Sequence, residues 1–224
     1  MIHVGGQTQV GSFNWAGYAD DNTASNTYSK ITGKWKEPSI VCNTNEDQLA
    51  VFWVGIDGFS SSTVEQDGTL AQCFEGSVFY DTWWEMFPSN SIQVVGTTVA
   101  PGDQIAASVI KTSTNYKLTV TDSTIPANSF TTTQSCAAAT CVDTSAEWIA
   151  EAPSGPRGEF PLPNFGTWSL TAATVKSGAT IGKISSFPDD EITMIDGSQS
   201  YALATPGNLN ATGNAFKVTW NDSF

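Results

Sequence analysis

Carboxylates and tryptophans lie close together in three short segments of the sequence that have the pattern of β-strands. The segments are residues 52–57 (FWVGID), 81–87 (DTWWEMF) and 146–151 (AEWIAE). Successive side chains of a strand point to opposite faces of a sheet. One face of these segments therefore carries, respectively, Trp53 with Asp57, Trp83 with Glu85, and Glu147 with Glu151. Because carboxylates are costly to bury, the pattern predicts a solvent-filled, concave sheet surface that binds a ligand.

An acidic and aromatic groove of this kind is compatible with three functions. A glycoside hydrolase would place two carboxylates on either side of a sugar bond and stack sugar rings on tryptophans. A peptidase would use a carboxylate that activates water and a neutral donor that holds the oxyanion. A carbohydrate-binding module would use the same surface without catalysis. The segment 143–145 (DTS) differs from the Asp-Thr-Gly signature of aspartic peptidases, and no second copy occurs.

The composition excludes several other kinds of chemistry. The chain of 224 residues has a single histidine, His3, in a terminal stretch that we expect to fray. Ser-His-Asp or Cys-His catalysis and His-rich zinc sites are therefore excluded. Nine Lys and Arg residues face 22 Asp and Glu residues, for a net charge of -13. This balance argues against binding to nucleic acids or to a membrane surface, and no apolar run predicts a transmembrane helix.

Four cysteines occur without the spacing of a zinc ribbon or of a redox motif. An even number in an acidic chain rich in Ser and Thr favours two disulfides formed in an oxidising compartment. Among the three possible pairings we favour Cys136–Cys141, which closes a short loop, and Cys42–Cys73, which ties neighbouring strands. The first residues lack the basic and apolar stretches of a secretion signal, as a mature secreted domain would.

Short runs rich in Val, Ile, Thr and aromatic residues alternate with turn signals along the whole chain, which predicts an all-β protein with little or no helix. The predicted strands are Trp15–Ala19, Tyr28–Lys36, Gln48–Ile56, Ser77–Phe87, Ile105–Lys111, Tyr116–Asp122, Ser145–Glu151, Thr167–Lys176, Ile192–Ile195 and Phe216–Trp220. Turns are predicted at Asp57-Gly58, Asp67-Gly68, Pro101-Gly102-Asp103, Asp196-Gly197 and Pro206-Gly207. The proline-rich stretch 152–163 is predicted to be a surface loop. Ten or more strands predict a single-domain β-sandwich or jelly roll, concanavalin-like, over residues 14–224, after a flexible segment 1–13.

Four blocks of sequence occur in a particular order: Trp53–Gly58 (WVGIDG), Glu65–Gly68 (EQDG), Tyr80–Glu85 (YDTWWE) and Ala146–Glu151 (AEWIAE). They are accompanied by residues 14–18 (NWAGY) and 164–166 (NFG). In this order the blocks resemble those of the glutamic peptidases, also called eqolisins. The resemblance extends from about Asn14 to the C-terminus.

The resemblance implies a secreted, acid-active endopeptidase on a β-sandwich of two bent antiparallel sheets, with a catalytic dyad of Gln66 and Glu147. The matching positions that line or support the site are Trp53, Asp57, Trp83 and Glu85. The glutamine block lies one residue closer to the WVG block than expected for the family, and Gln72 is near enough to be mistaken for the catalytic glutamine. We expect protein or peptide substrates, no cofactor or metal, no nucleic-acid or membrane partner, and a monomer.

The dyad suits acidic conditions on elementary grounds. At low pH a histidine is permanently protonated, whereas a glutamate with an ordinary pKa of about 4.3 exchanges protons there. Ionised Glu147 would take a proton from water and later return it to the leaving amine. The amide of Gln66, which does not titrate, would hold the oxyanion. Ionised groove carboxylates repel one another, so the sequence also predicts lower stability at pH 7 than at pH 4.

Overall fold

The structure is a computed structural model that describes residues 2–4, 7–22, 24–43, 46–136, 141–156 and 158–223, with side chains from residue 9 onward. The described strands are β1 Ile2–Val4, β2 Gln7–Ser12, β3 Trp15–Asp21, β4 Tyr28–Lys36, β5 Gln48–Ile56, β6 Val64–Phe74, β7 Ser77–Phe87, β8 Asn90–Val94, β9 Gln104–Thr112, β10 Asn115–Asp122, β11 Phe130–Ser135, β12 Ser145–Glu151, β13 Ser154–Gly155, β14 Gly158–Glu159, β15 Thr167–Ser177, β16 Thr180–Gly182, β17 Asp189–Ile195, β18 Ala202–Pro206 and β19 Phe216–Trp220. Two single-turn 3₁₀ helices, Pro126–Asn128 and Ile184–Ser186, are the helical elements of the described chain. The predicted all-β class is confirmed.

The strands form two layers that share one seam. The front sheet has the order β1-β2-β17-β3-β12-β5-β6-β7-β8, and the back sheet has the order β18-β19-β15-β4-β9-β10-β11, with β16 beside β15. Strand β17 joins the layers because it pairs with β18 as well as with β2 and β3. Strands β4, β9 and β10 pack on β5, β6 and β12. The ladders between the described strands of the two layers are antiparallel except that of β2 with β17, so the predicted antiparallel sandwich is confirmed.

Alternation along the strands explains the core between the two sheets. From β5 and β12 of the front sheet, Phe52, Val54 and Trp148 point inward and are fully buried. The ring of Phe52 stacks on Trp168 of β15, with 5.5 Å between centroids. The indole N–H of Trp148 donates to the carbonyl of Thr32 in β4 at 2.9 Å. Strands β5 and β12 are thereby fixed to the back sheet, and their opposite face is left for the candidate site.

All ten predicted strands are present, and nine further described strands were not predicted. Among these nine, β6 was missed because its polarity does not alternate. Glu65 and Asp67 pair with Ile56 and Val54 and share their inward face, where both carboxylates are buried. The turn predicted at Asp67-Gly68 is wrong, since both residues lie inside β6. A Cβ atom at position 68 would lie 1.9 Å from the carbonyl oxygen of Phe52. Gly68 therefore marks a close approach between neighbouring strands instead of a turn.

The disulfides Cys42–Cys73 and Cys136–Cys141 are present as predicted. The proline-rich stretch leaves the front sheet, and its described residues include the short ribbon of β13 and β14. In the segment predicted to be flexible, β2 pairs with β17; the division at residue 14 stays a prediction. No described helix has the length and hydropathy needed to span a membrane.

Candidate active site

A row of paired residues crosses the outer face of the front sheet and brings the predicted dyad together. Gln66 of β6 pairs with Gly55 of β5, and Gly55 pairs on its other side with Glu147 of β12. The row continues to Glu85 of β7 next to Gln66, and to Ala19 of β3 next to Glu147. Residues in one row share a face of the sheet. Gln66 and Glu147 therefore lie on the same face, two strands or roughly 10 Å apart along the backbone.

Glycine at position 55 leaves room for the ring of Trp53 between the two side chains. A Cβ atom there would lie 2.8 Å from Cζ3 of Trp53 and 3.2 Å from Cβ of Gln66. The ring of Trp53 therefore occupies the space where residue 55 would carry its side chain. The floor between Gln66 and Glu147 is consequently formed by the ring of Trp53 and the backbone of Gly55.

Glu147 is completely buried in this structure. Its Oε1 accepts the backbone N–H of Phe59 at 3.3 Å, and its Oε2 has no hydrogen-bond partner among the described residues. Burial raises the pKa of Glu147 well above its usual range, and the nearby charges of Asp57 and Glu65 raise it further. The pKa of Glu147 is therefore higher than the ordinary value of about 4.3 expected from the sequence. The loop after β5, which contains Phe59, gave no sequence signal for this contact.

Gln66 is held by Glu85, the next residue of the row. Its amide nitrogen donates to Oε2 of Glu85 at 2.7 Å, whereas its Oε1 is buried and has no described partner. Burial raises the pKa of Glu85, and the bond from Gln66 opposes this shift. Gln72 pairs with Leu49, six residues further along β6 and roughly 20 Å from Gln66. The geometry therefore places Gln66, not Gln72, beside Gly55.

The two predicted tryptophans form an apolar floor beside the row. Trp53 and Trp83 lie in the adjacent row, where each pairs with Gly68 from one side. Both indoles are buried and pack with Leu70 and Ile149. The predicted solvent-filled surface is thus wrong at its centre, where aromatic packing replaces water.

Asp57 ties the end of β5 to the segment that leads into β12. Its carboxylate accepts the backbone N–H groups of Val142, Asp143 and Thr144 at 2.8–2.9 Å, and also the hydroxyl of Thr144 at 3.3 Å. The hydroxyl of Thr63 donates to it at 3.4 Å. Asp57 therefore supports the start of the strand that carries Glu147, consistent with its predicted supporting position.

Replacing Asp57 by alanine is expected to lower the free energy of unfolding by about 3 kcal/mol or more, because several buried N–H donors lose their acceptor. Asn retains one acceptor oxygen, so Asp57→Asn should lose less than Asp57→Ala. Urea denaturation at one fixed pH measures both effects, with the exposed Asp222→Ala as the control. Equal stability of Asp57→Ala and Asp222→Ala would contradict this role.

A cluster of acids lies behind Asp57, on the core side of β6. One carboxylate oxygen from each of Asp57, Glu65 and Asp143 lies within 4.8 Å of the others. The ammonium of Lys111 and the hydroxyl of Tyr116 donate to Asp143. Burial, together with the charges of Asp57 and Asp143, raises the pKa of Glu65 to about 9. Because N–H and O–H donors already engage Asp57 and Asp143, a proton on Glu65 fits this cluster better than a metal ion does.

A cavity of about 440 Å³ opens beside Gln66. Its polar lining includes Glu85 and Glu151, and its apolar walls include Trp15 and Ile92. The carboxylate of Glu151 accepts the indole N–H of Trp53 at 2.7 Å. The sequence did indicate that Glu151 is near the site, because Glu151 shares a strand face with Glu147. A second hollow of about 410 Å³ adjoins the first at Trp15 and is lined by Phe59.

Comparison with solved structures identifies the same architecture in glutamic peptidases. Scytalido-glutamic peptidase with a transition-state analogue inhibitor superposes with a TM-score of 0.78 at 21% identity, covering 94% of this chain and 99% of that chain. SCP-B, an eqolisin in complex with the tripeptide Ala-Ile-His, gives 0.74 at 20% identity, covering 94% and 99%. Aspergilloglutamic peptidase from Aspergillus niger gives 0.67 at 25% identity, covering 78% and 99%. A search of curated protein sequences finds no match.

The sequence profile described as "Peptidase A4 family" matches residues 13–220, nearly the whole chain. The matched range contains the row of Glu85, Gln66 and Glu147. The resemblance to glutamic peptidases found in the sequence is thus confirmed, and the chain belongs to the peptidase A4 family.

Proposed function

We propose that the protein is a secreted, acid-active endopeptidase in which Glu147 and Gln66 form the catalytic dyad. The observation that carries the proposal is the row itself. A carboxylate and an uncharged amide face the same side of the sheet across Gly55, and Glu147 Oε2 and Gln66 Oε1 have no described partner. Both atoms accept hydrogen bonds, so one water molecule between them would satisfy both.

In the proposed reaction, ionised Glu147 removes a proton from that water, and the hydroxide forms a bond to the carbonyl carbon of the scissile peptide. The carbonyl oxygen becomes an oxyanion. Of the two N–H groups of Gln66, one donates to Glu85 and the other is available to the oxyanion. Protonated Glu147 then gives its proton to the leaving nitrogen as the C–N bond breaks. The products are a carboxylic acid and an amine, and Glu147 returns to its ionised form.

Burial is the largest cause of the raised pKa of Glu147. Water that enters the site of the free enzyme would solvate the ionised carboxylate and lower its pKa from this raised position. We therefore expect the rise of kcat/KM with pH, which reports the free enzyme's base, to lie above the ordinary value of about 4.3. Measurement of kcat/KM for peptide hydrolysis between pH 3 and pH 7 locates this rise.

The two disulfides support secretion, because such bonds persist in oxidising compartments. Peptide substrates follow from the family. We further propose that the protein acts as a monomer, without nucleic-acid or membrane partners and without a metal or cofactor.

Gln66→Ala is expected to lower kcat by about 10²–10³-fold, the usual loss for one oxyanion donor. Hydrolysis of casein at acidic pH in the presence of pepstatin, which targets aspartic dyads, provides the assay. Gln72→Ala is the matched control, because Gln72 lies on the same strand and face but far from Glu147; its rate should not change. Hydrolysis of xylan or glucan without proteolysis would overturn the proposal in favour of a glycosidase. Sugar binding without turnover would favour a carbohydrate-binding module.

A further inference from the structure

Glu151 lies at the end of β12 and holds Trp53 by its only polar atom. Glu151 Oε2 accepts the indole N–H at 2.7 Å, and Oε1 accepts the side-chain amide of Asn14 at 3.2 Å. An indole has a single donor and no acceptor. Apolar contacts fix the plane of such a ring less closely than a short hydrogen bond to a carboxylate does. The orientation of Trp53 is therefore set by Glu151.

The far edge of the same indole lies inside the candidate active site. Cζ3 and Cε3 of Trp53 stand 2.8 Å and 3.2 Å from the position that a Cβ of residue 55 would take. Gly55 separates Gln66 from Glu147 in the row. One end of the ring is thus bound by Glu151, and the other end occupies the floor between the two proposed catalytic side chains.

Two residues near the N-terminus, Asn14 and Trp15, contact Glu151, Trp53 and the backbone next to them. Trp15 pairs with Glu151 in the β3–β12 ladder, and its ring meets Trp53 edge-on with 5.0 Å between centroids. The carbonyl of Asn14 accepts the backbone N–H of Ala152 at 2.9 Å. Asn14 and Trp15 therefore hold Glu151 and Trp53 against each other.

We propose that Glu151 is a positioning residue of the peptidase, which locks the Trp53 ring over Gly55 and so sets the spacing in which Gln66 and Glu147 act on a peptide. This inference rests on the function proposed for that pair. A displacement of about 1 Å at a reacting group costs about 10²-fold in rate. Loss of the hydrogen bond between Glu151 and Trp53 should therefore lower kcat by about 10- to 100-fold and leave KM within about threefold of the parent value.

The test compares Glu151→Ala, Glu151→Gln, Trp53→Phe and the double variant Glu151→Ala/Trp53→Phe in the full chain. Glutamine retains an acceptor for the indole N–H, so Glu151→Gln should keep most of the activity that Glu151→Ala loses. Phenylalanine has no N–H, so the double variant should be little slower than Trp53→Phe alone. The exposed Glu46→Ala is the matched control for the loss of one carboxylate, and thermal melts report folding.

Equal kcat for Glu151→Ala and the parent, or additive losses in the double variant, would overturn the inference. A loss confined to KM would also overturn it, since it would make Glu151 a substrate contact. If Glu151→Ala does not fold, the test depends on Trp53→Phe, and an unchanged kcat in that variant overturns the inference. A failure of the proposed function is distinguishable, because Glu147→Gln would then keep parental peptidase activity or the parent would have none.

Discussion

Glu147→Gln is expected to lower kcat by about 10⁴-fold and at the same time to make the protein more stable at pH 7. The rate falls because the amide can neither take a proton from water nor return one to the leaving amine. The stability rises because glutamine does not ionise. Glu147 is fully buried and its pKa is raised by that burial. Its ionisation therefore opposes folding more strongly as pH increases.

Peptide hydrolysis and urea denaturation, each at pH 4 and pH 7, measure the two effects. The control is Glu75→Gln, at the exposed turn between β6 and β7, which should change neither property. The gain in stability should appear at pH 7 and vanish at pH 4, where a carboxyl with a raised pKa is protonated in the folded and the unfolded chain. A Glu147→Gln variant with parental kcat would remove this residue from the mechanism.

The free energy of unfolding is expected to fall by about 5 kcal/mol or more between pH 4 and pH 8. Burial raises the pKa of Glu37 to about 8 and that of Glu65 to about 9. It also raises the pKa values of Asp20 and Asp67 well above their usual range. An acid whose pKa is higher in the folded state costs nothing below its unfolded value of about 4. The cost grows through the window up to the folded value, at about 1.4 kcal/mol for each pH unit.

Glu65→Gln is the variant that tests this account, because burial raises the pKa of Glu65 to about 9, compared with about 8 for Glu37. The substitution should flatten the pH dependence by a few kcal/mol and change stability little at pH 4. Chemical denaturation at intervals of one pH unit measures the slope, with the exposed Glu46→Gln as the control. A melting temperature that is higher at pH 8 than at pH 4 would contradict the account.

Sequence alone predicted the strands that alternate regularly, and with them much of the candidate site. Strands β5, β7 and β12 were predicted with the bounds that the structure shows. Their period of two correctly placed Trp53, Trp83 and Glu147 on a common outer face. Of the three possible cysteine pairings, the one favoured from the sequence is the one that the structure shows.

Strand β6 could not be predicted, because its two faces do not differ in polarity. Its inward face carries Glu65 and Asp67, which only a protonated, buried state makes compatible with a core. The sequence Asp67-Gly68 is typical of a turn, but in the structure Gly68 allows β5 and β6 to pack closely. The contact between Glu151 and Trp53 was missed for a different reason. Trp53 and Glu151 are 98 residues apart in the sequence, and the local pattern of either strand does not show that the two strands are neighbours.

Strand β12 is hydrogen-bonded on both sides, to β3 and to β5, whereas β8 pairs only with β7 among the described strands. The backbone amides around Glu147 can therefore exchange with deuterium only when a large part of the front sheet opens. Peptide cleavage would accordingly take place on one of the most slowly exchanging parts of the molecule.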